Sequence, residues 1–435
     1  MSPRRQASGP RNTRGALLGS VAASFFSQGA LVVTGVIVAR TLGPEDRGYL
    51  ALIFLVPGIL QQVGTLGLPL ATTYFIATDR SRESAVRRAL RAPVAAQVVV
   101  LTILQAITLW LLVSDDPQRV REAAVISLGI LGGALADMYG KAILQGQRRF
   151  AAYNVMWNGI VSFYLIGVVV LFAAGEADLV AISAAWVLAN LAAGALTTVV
   201  ALSAPVPPVG DASSVERRKM LRFGLKGFLG TVSPVGTFRL DQAAIGLFLA
   251  PRALGLYAAA LAVTNLPAFI SRGIATISLP QVAHAAAGDR RAEARSYLLV
   301  SIALTGLVVL ALEVVAGWLV PFFFGAAFED AVPITRILLV GSFFTGVRRV
   351  LTDSASGMGR PGLGSIAELV SWIVVVPALV VLMPAWGVEG VAAAITLSTA
   401  ASLVALVLLI RRADSRGVRG ARPASTQPPL VDSGE

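Results

Sequence analysis

Long apolar runs broken by short charged punctuation dominate the chain. Six stretches carry no charged residue over a bilayer-spanning length: 15–39, 48–78, 92–114, 150–175, 179–210 and 390–410. Six more, near 123–145, 223–249, 253–283, 296–323, 332–352 and 362–384, hold one or a few ionisable residues. Strands are a poor solution for such runs. An open sheet in lipid leaves backbone groups unpaired, and a barrel needs alternating segments of about ten residues. The pattern predicts an all-α polytopic integral membrane protein with twelve transmembrane helices.

Composition agrees. Of 435 residues, 56% are hydrophobic and 14% charged, against roughly a quarter charged in soluble domains. Twelve spans of about 20 residues occupy about 240 positions, which leaves little for a soluble domain. The chain has no cysteine and one histidine, His284. Disulfides, thiolate metal sites and cysteine nucleophiles are therefore excluded, and no cofactor is expected.

The net charge of +12 suggests nucleic acid in a soluble protein, but its distribution argues otherwise. With the N-terminus inside, cytoplasmic segments collect 27 Lys and Arg, whereas outer loops hold five: Arg40, Arg47, Arg119, Arg121 and Arg252. That bias is the positive-inside rule. It places both termini in the cytoplasm and removes any need for a nucleic-acid partner. No small-residue cleavage pattern follows the first apolar run before Arg40, so the first span is read as uncleaved.

Three echoes recur in order. Pro44 and Gly48 return as Pro251 and Gly255, Asp79-Arg80 as Asp289-Arg290, and Gly146 as Gly357, at offsets of 207, 210 and 211. They predict an internal duplication: six-helix bundles over 15–203 and 223–411, related by a pseudo-two-fold axis along the membrane normal. A basic tail (1–14), a Pro-rich cytoplasmic linker (204–222) and a disordered cytoplasmic tail (412–435) complete the expected layout. The repeated Pro-Gly pair is either a hairpin turn used twice or a hinge at the external mouth of each half. Pro267 is expected to kink the eighth span.

The stretches "SFFSQGALVVTGVIVARTLGPEDRGYLALI", "LQGQRRFAAYNV", "LRFGLKGFLG", "RLDQAAIGLFLAPRALGLYAAA" and "SLPQVAHAA" resemble landmarks of the polysaccharide flippases. These belong to the superfamily that includes multidrug exporters of the MATE type and the lipid II flippases. The likeness covers roughly 15–411. It implies translocation of an oligosaccharide on a polyprenyl (pyro)phosphate carrier across the cytoplasmic membrane, by alternating access between two bundles. Membrane lipids, and a glycan polymerase or ligase of the same pathway, are the implied partners.

Charged residues inside spans cost ~2.5–3.5 kcal/mol each at a helix centre and usually face a cavity or another helix. The candidates are Asp137, Lys226, Arg239, Asp241, Arg272, Glu313, Arg336 and Glu368. In a continuous seventh span, Arg239 lies roughly 16 Å deep, near the midplane. It either binds an anion or pairs with an acid such as Glu313 or Glu368. Arg40, Arg239, Arg272 and Arg336 form the candidate headgroup site, because guanidinium groups suit a pyrophosphate. Arg40 can equally be a snorkelling interface residue. Asp241, Glu313, Glu368 and Asp137 are candidates for ion coupling or for salt bridges. Asp137 has Lys141 one turn away, and Glu313, without a local partner, is the preferred coupling residue.

Rival readings are a membrane glycosyltransferase or polymerase of lipid-linked glycans, and a MATE-type cation antiporter. The first needs an acid held over the sugar, and the outer acidic pair Asp115-Asp116 sits in a short loop that reads as a solvated turn. The second needs an acidic cavity, whereas the basic residues here favour an anionic substrate.

Overall fold

The computed structural model describes residues 10–205, 217–229, 233, 234, 236, 238–285, 289–358, 360 and 362–420. Eight helices make the first half: α1 (Pro10–Gly64), α2 (Leu68–Thr78), α3 (Glu83–Val113), α4 (Gln118–Ser127), α5 (Ile130–Gly146), α6 (Phe150–Trp157), α7 (Gly159–Ala174) and α8 (Leu179–Leu202). Seven make the second: α9 (Arg217–Leu229), α10 (Leu240–Phe248), α11 (Pro251–Thr264), α12 (Leu266–His284), α13 (Arg290–Phe324), α14 (Ala331–Gly357) and α15 (Gly362–Gly420). Among the described residues there is no strand.

Among the described residues, nine helical stretches are long and apolar enough to cross a membrane. Two of them contain a reversal. Gly43 (φ 72°) divides α1, and Gly387 (φ 57°) divides α15. Both φ values lie in the left-handed region that only glycine enters without strain. The reversal at Gly43 brings Arg47 back alongside Gly35. Counting these two reversals, the described residues give eleven of the twelve expected crossings; the expected seventh, over 223–249, is represented by α9 and α10.

That stretch departs from expectation. The seventh span is not a continuous helix: α9 ends at Leu229, α10 begins at Leu240, and Arg239 caps α10 in the left-handed conformation (φ 45°). Other crossings are broken too, the second at Leu66-Gly67 and the eighth at Asn265, with Pro267 in the first turn of α12. Broken crossings free backbone groups only where protein or a cavity can satisfy them.

Three expected boundaries also move. Helix α1 starts at Pro10 inside the expected tail, α9 starts at Arg217 inside the expected linker, and α15 continues to Gly420. The α9 segment is helical because Met220, Phe223, Gly224 and Gly227 recur at three- and four-residue spacing and pack on α2. Phe223 stacks on Tyr74 at 4.3 Å, and Gly224 lies against the backbone of Gly67. Residues 206–216 and 421–435 of the expected linker and tail lie outside the described residues.

The main apolar core is shared by the halves. Tyr49 and Ile53 of α1, Leu254 and Tyr257 of α11, and Phe324 and Phe328 at the end of α13 belong to it.

Candidate functional site

The duplicated Pro-Gly pairs meet. A Cβ on Gly48 would stand 1.8 Å from the carbonyl oxygen of Pro251, and a Cβ on Gly255 would stand 1.8 Å from the carbonyl oxygen of Pro44. Each half therefore presents the first turn of a helix, opened by proline, to the glycine of the other. The contact is reciprocal, as a two-fold relation requires. Beside it, Arg40 donates through Nε to the carbonyl of Phe323 at 2.8 Å and through Nη2 to that of Phe322. It thus satisfies orphan carbonyls at the C-terminus of α13, in the opposite half. Tyr49 donates to Asp116 at 2.8 Å, so one acid of the Asp115-Asp116 turn is engaged in tying α1 to the turn before α4.

Next to this contact is a cavity of about 320 Å³ between the halves. Phe54, Tyr164 and Trp186 form its aromatic wall; Arg47, Arg239 and Gln242 are among its polar lining. Among the described residues no Asp or Glu lines it. Phe54 stacks on Trp186 at 5.4 Å, and Tyr164 meets the same indole edge-on at 4.7 Å, which fixes the wall.

Arg47 is the residue sequence reasoning missed. Its place in "GPEDRG" put it in an outer loop. Pro44, however, opens the helix after the reversal, so Arg47 is already within the helical turn and points inward. It is 9% exposed. Nη1 donates to the carbonyl of Gly35 at 3.0 Å, the guanidinium lies 5.9 Å from the Phe324 ring centre, and Nε is buried without an acceptor. Among the described residues it makes no ion pair within 4.0 Å. The available signal was its position immediately before Gly48, the glycine that the duplication marks.

Of the four expected headgroup arginines, only Arg239 lines this cavity. The break in the seventh crossing, not depth in a helix, puts it there. Arg40 is held by the α13 carbonyls. Arg272 of α12 does not line the cavity and lies within electrostatic reach of Arg349 on α14. Arg336 lies against Gly317 of α13, one turn from Glu313.

The acids separate likewise. Asp241 is buried and accepts from Tyr257 at 2.8 Å. Asp137 pairs with Lys141 and accepts from Thr197 at 2.7 Å. Glu368 pairs with Arg348, not Arg239, and accepts from Ser233 at 2.6 Å. Arg348 lies within α14, which continues through it to Gly357. Glu368→Ala strands that arginine between helices. It is expected to destabilise the protein by about 3 kcal/mol, read as a lower melting temperature in detergent, while exposed Glu389→Ala leaves melting unchanged. Glu313 keeps Oε1 buried with no hydrogen-bond partner among the described residues.

Comparison with known proteins adds identity to this geometry. A family described as "Polysaccharide biosynthesis protein" matches residues 37–333. A "Probable low-salt glycan biosynthesis flippase" of Haloferax volcanii is 27% identical over 169 residues, which is 38% of this chain and 36% of the relative; the match thus spans about a third of that relative's length. Among solved structures, an inward-facing multidrug resistance MATE family transporter superposes with TM-score 0.71 at 18% identity, covering 90% of this chain and 96% of the other. The lipid II flippase MurJ, in an inward closed conformation, superposes at 0.69 with 14% identity, covering 91% and 87%. The fold is thus that of a two-lobed transporter.

Proposed function

The chain belongs to the polysaccharide biosynthesis protein family, and we propose that within it the protein flips a polyprenyl-(pyro)phosphate-linked oligosaccharide from the inner to the outer leaflet of the cytoplasmic membrane. One observation carries this reading: a buried arginine, Arg47, lines a cavity between the halves that no carboxylate among the described residues lines. Burying a charge in a membrane protein is costly unless a counter-charge arrives. A pyrophosphate supplies that charge and matches the planar donor fork of the guanidinium.

Access follows from the packing. The reciprocal Pro-Gly contact closes the end that the charge bias assigns to the outside. On one flank α2 packs on α9, whereas on the other α1 makes no comparable contact with α12 among the described residues. A lipid-linked headgroup enters the cleft sideways along that second flank, its chain remaining in the bilayer. Parting of the two Pro-Gly turns then exposes the cavity outward. The superpositions on inward-facing and inward closed relatives support this assignment.

A cation exporter of the same fold is disfavoured by the acid-free lining of the cavity. The test is a vesicle assay. Reconstituted protein should move a fluorescent polyprenyl-pyrophosphate oligosaccharide between leaflets and leave an organic cation where it was added. Transport of the cation alone would overturn the proposal. In the same assay Glu313→Gln should slow transport without weakening headgroup binding, because its orphaned carboxylate oxygen lies away from the cavity, on the face of α13 near Arg336. Equal loss of binding would remove Glu313 from a coupling role.

A further inference from the structure

A second cavity has no part in the cleft. Between α3, α5 and α8 lies a groove of about 590 Å³. Its floor is apolar or small, with Val94, Ala95, Tyr139, Gly140 and Ile143. It stays open because α5 packs backbone to backbone on α8 at Gly133 and Gly194, while Pro93 interrupts the hydrogen-bond ladder of α3 beside it. One and two turns beyond Ala95, on the same face of α3, Val99 is 57% exposed and Ile103 is 53% exposed. The groove therefore lies beside an exposed apolar face of a span long and apolar enough to cross a membrane.

Its other end is cationic. Arg87 and Arg91 line it, and Arg88 is exposed next to them. Arg87 is partly committed, to Glu83 and to the carbonyl of Ala201, but its Nε is buried without an acceptor. Arg88 and Arg91 make no hydrogen bond or ion pair among the described residues. The positive-inside bias accounts for basic residues at this end, and Glu83 answers Arg87, but no acid among the described residues answers Arg88 or Arg91 within 4.0 Å. Like charges at Arg87 and Arg91, four residues apart, repel along a helix. Cations in the first turns of α3 also oppose its macrodipole, which favours anions there. An external anion removes both penalties.

We propose that this groove is a binding site for an anionic glycerophospholipid, its phosphate held by Arg87, Arg88 and Arg91 and one acyl chain lying along Val94, Ala95 and Tyr139. Basic pockets between transmembrane helices recognise such headgroups, and an apolar channel continuous with the bilayer face suits the chain. The site is separate from the cavity of Arg47 and Arg239, so its occupancy does not depend on the transported substrate.

Native mass spectrometry of the detergent-purified full chain, titrated with phosphatidylglycerol or with phosphatidylcholine of identical chains, tests it. The expected result is one phosphatidylglycerol retained per protein at concentrations where phosphatidylcholine is not. At roughly 1 kcal/mol per basic residue, Arg88→Gln with Arg91→Gln should weaken that binding about thirtyfold, whereas Arg252→Gln in the other half should not. The two Arg side chains replaced are exposed, so the variant should melt as the parent does without added lipid. Equal retention of both lipids, or unchanged retention in the double variant, would overturn the proposal.

Discussion

Gly48→Ala should stop transport while leaving the protein folded. The added methyl stands 1.8 Å from the Pro251 carbonyl oxygen in the conformation described, a separation no packed carbon and oxygen tolerate, and the obstacle is backbone rather than a flexible side chain. Overpacking of this kind costs about 1–3 kcal/mol, which shifts the equilibrium between closed and open outer ends by roughly five- to 150-fold. The protein does not misfold, because the collision exists only when the halves meet. Gly255→Ala should reproduce the effect, since its methyl meets the Pro44 carbonyl at the same distance. The chain has no cysteine, so Glu45→Cys with Arg252→Cys reports closure cleanly through a short bismaleimide cross-linker. Cross-linking should be efficient in the parent and lost in Gly48→Ala. Efficient cross-linking and normal transport in the variant would show that the two turns need not meet.

Arg47→Ala should be the most damaging change within the cavity. Hydrogen bonds to a charged group contribute about 1.5–3 kcal/mol each, so loss of one such contact weakens headgroup binding roughly ten- to 150-fold. Arg239→Ala should fall in the same range, and Arg40→Ala should instead act through the gate, because its donors are spent on α13 carbonyls. Arg47→Lys should not restore transport fully: an ammonium keeps the charge but not the planar fork. The measurement is export of lipid-linked glycan in cells, set against the amount of folded protein. Normal export by Arg47→Ala would remove this residue from the site.

The sequence carried the fold further than it carried the site. Apolar runs of bilayer length leave a helix little competition, and the Pro44/Pro251 echo pointed to two related halves. The site was harder to read because it depends on where helices break. Arg239 was placed by counting along a continuous helix, yet it reaches the cavity because the helix stops. Glu368 was offered to Arg239, but its partner, Arg348, comes from a neighbouring helix across α14 and α15. Arg47 was hidden by its charged neighbours Glu45 and Asp46, although Pro44 had already fixed the start of the helix. The echo itself was legible as sequence, but its meaning, a contact between the two copies, exists only once the halves are assembled.

The central claim is that the cavity beside Arg47 and Arg239 holds the anionic headgroup of a lipid-linked glycan. The most direct measurement is mass spectrometry of lipids retained by gently purified protein, with Arg47→Ala and Arg239→Ala alongside. A polyprenyl-pyrophosphate glycan retained by the parent and lost from both variants is the predicted result. Retention of that lipid in equal amount by all three proteins, or retention of bulk phospholipid only, would contradict it.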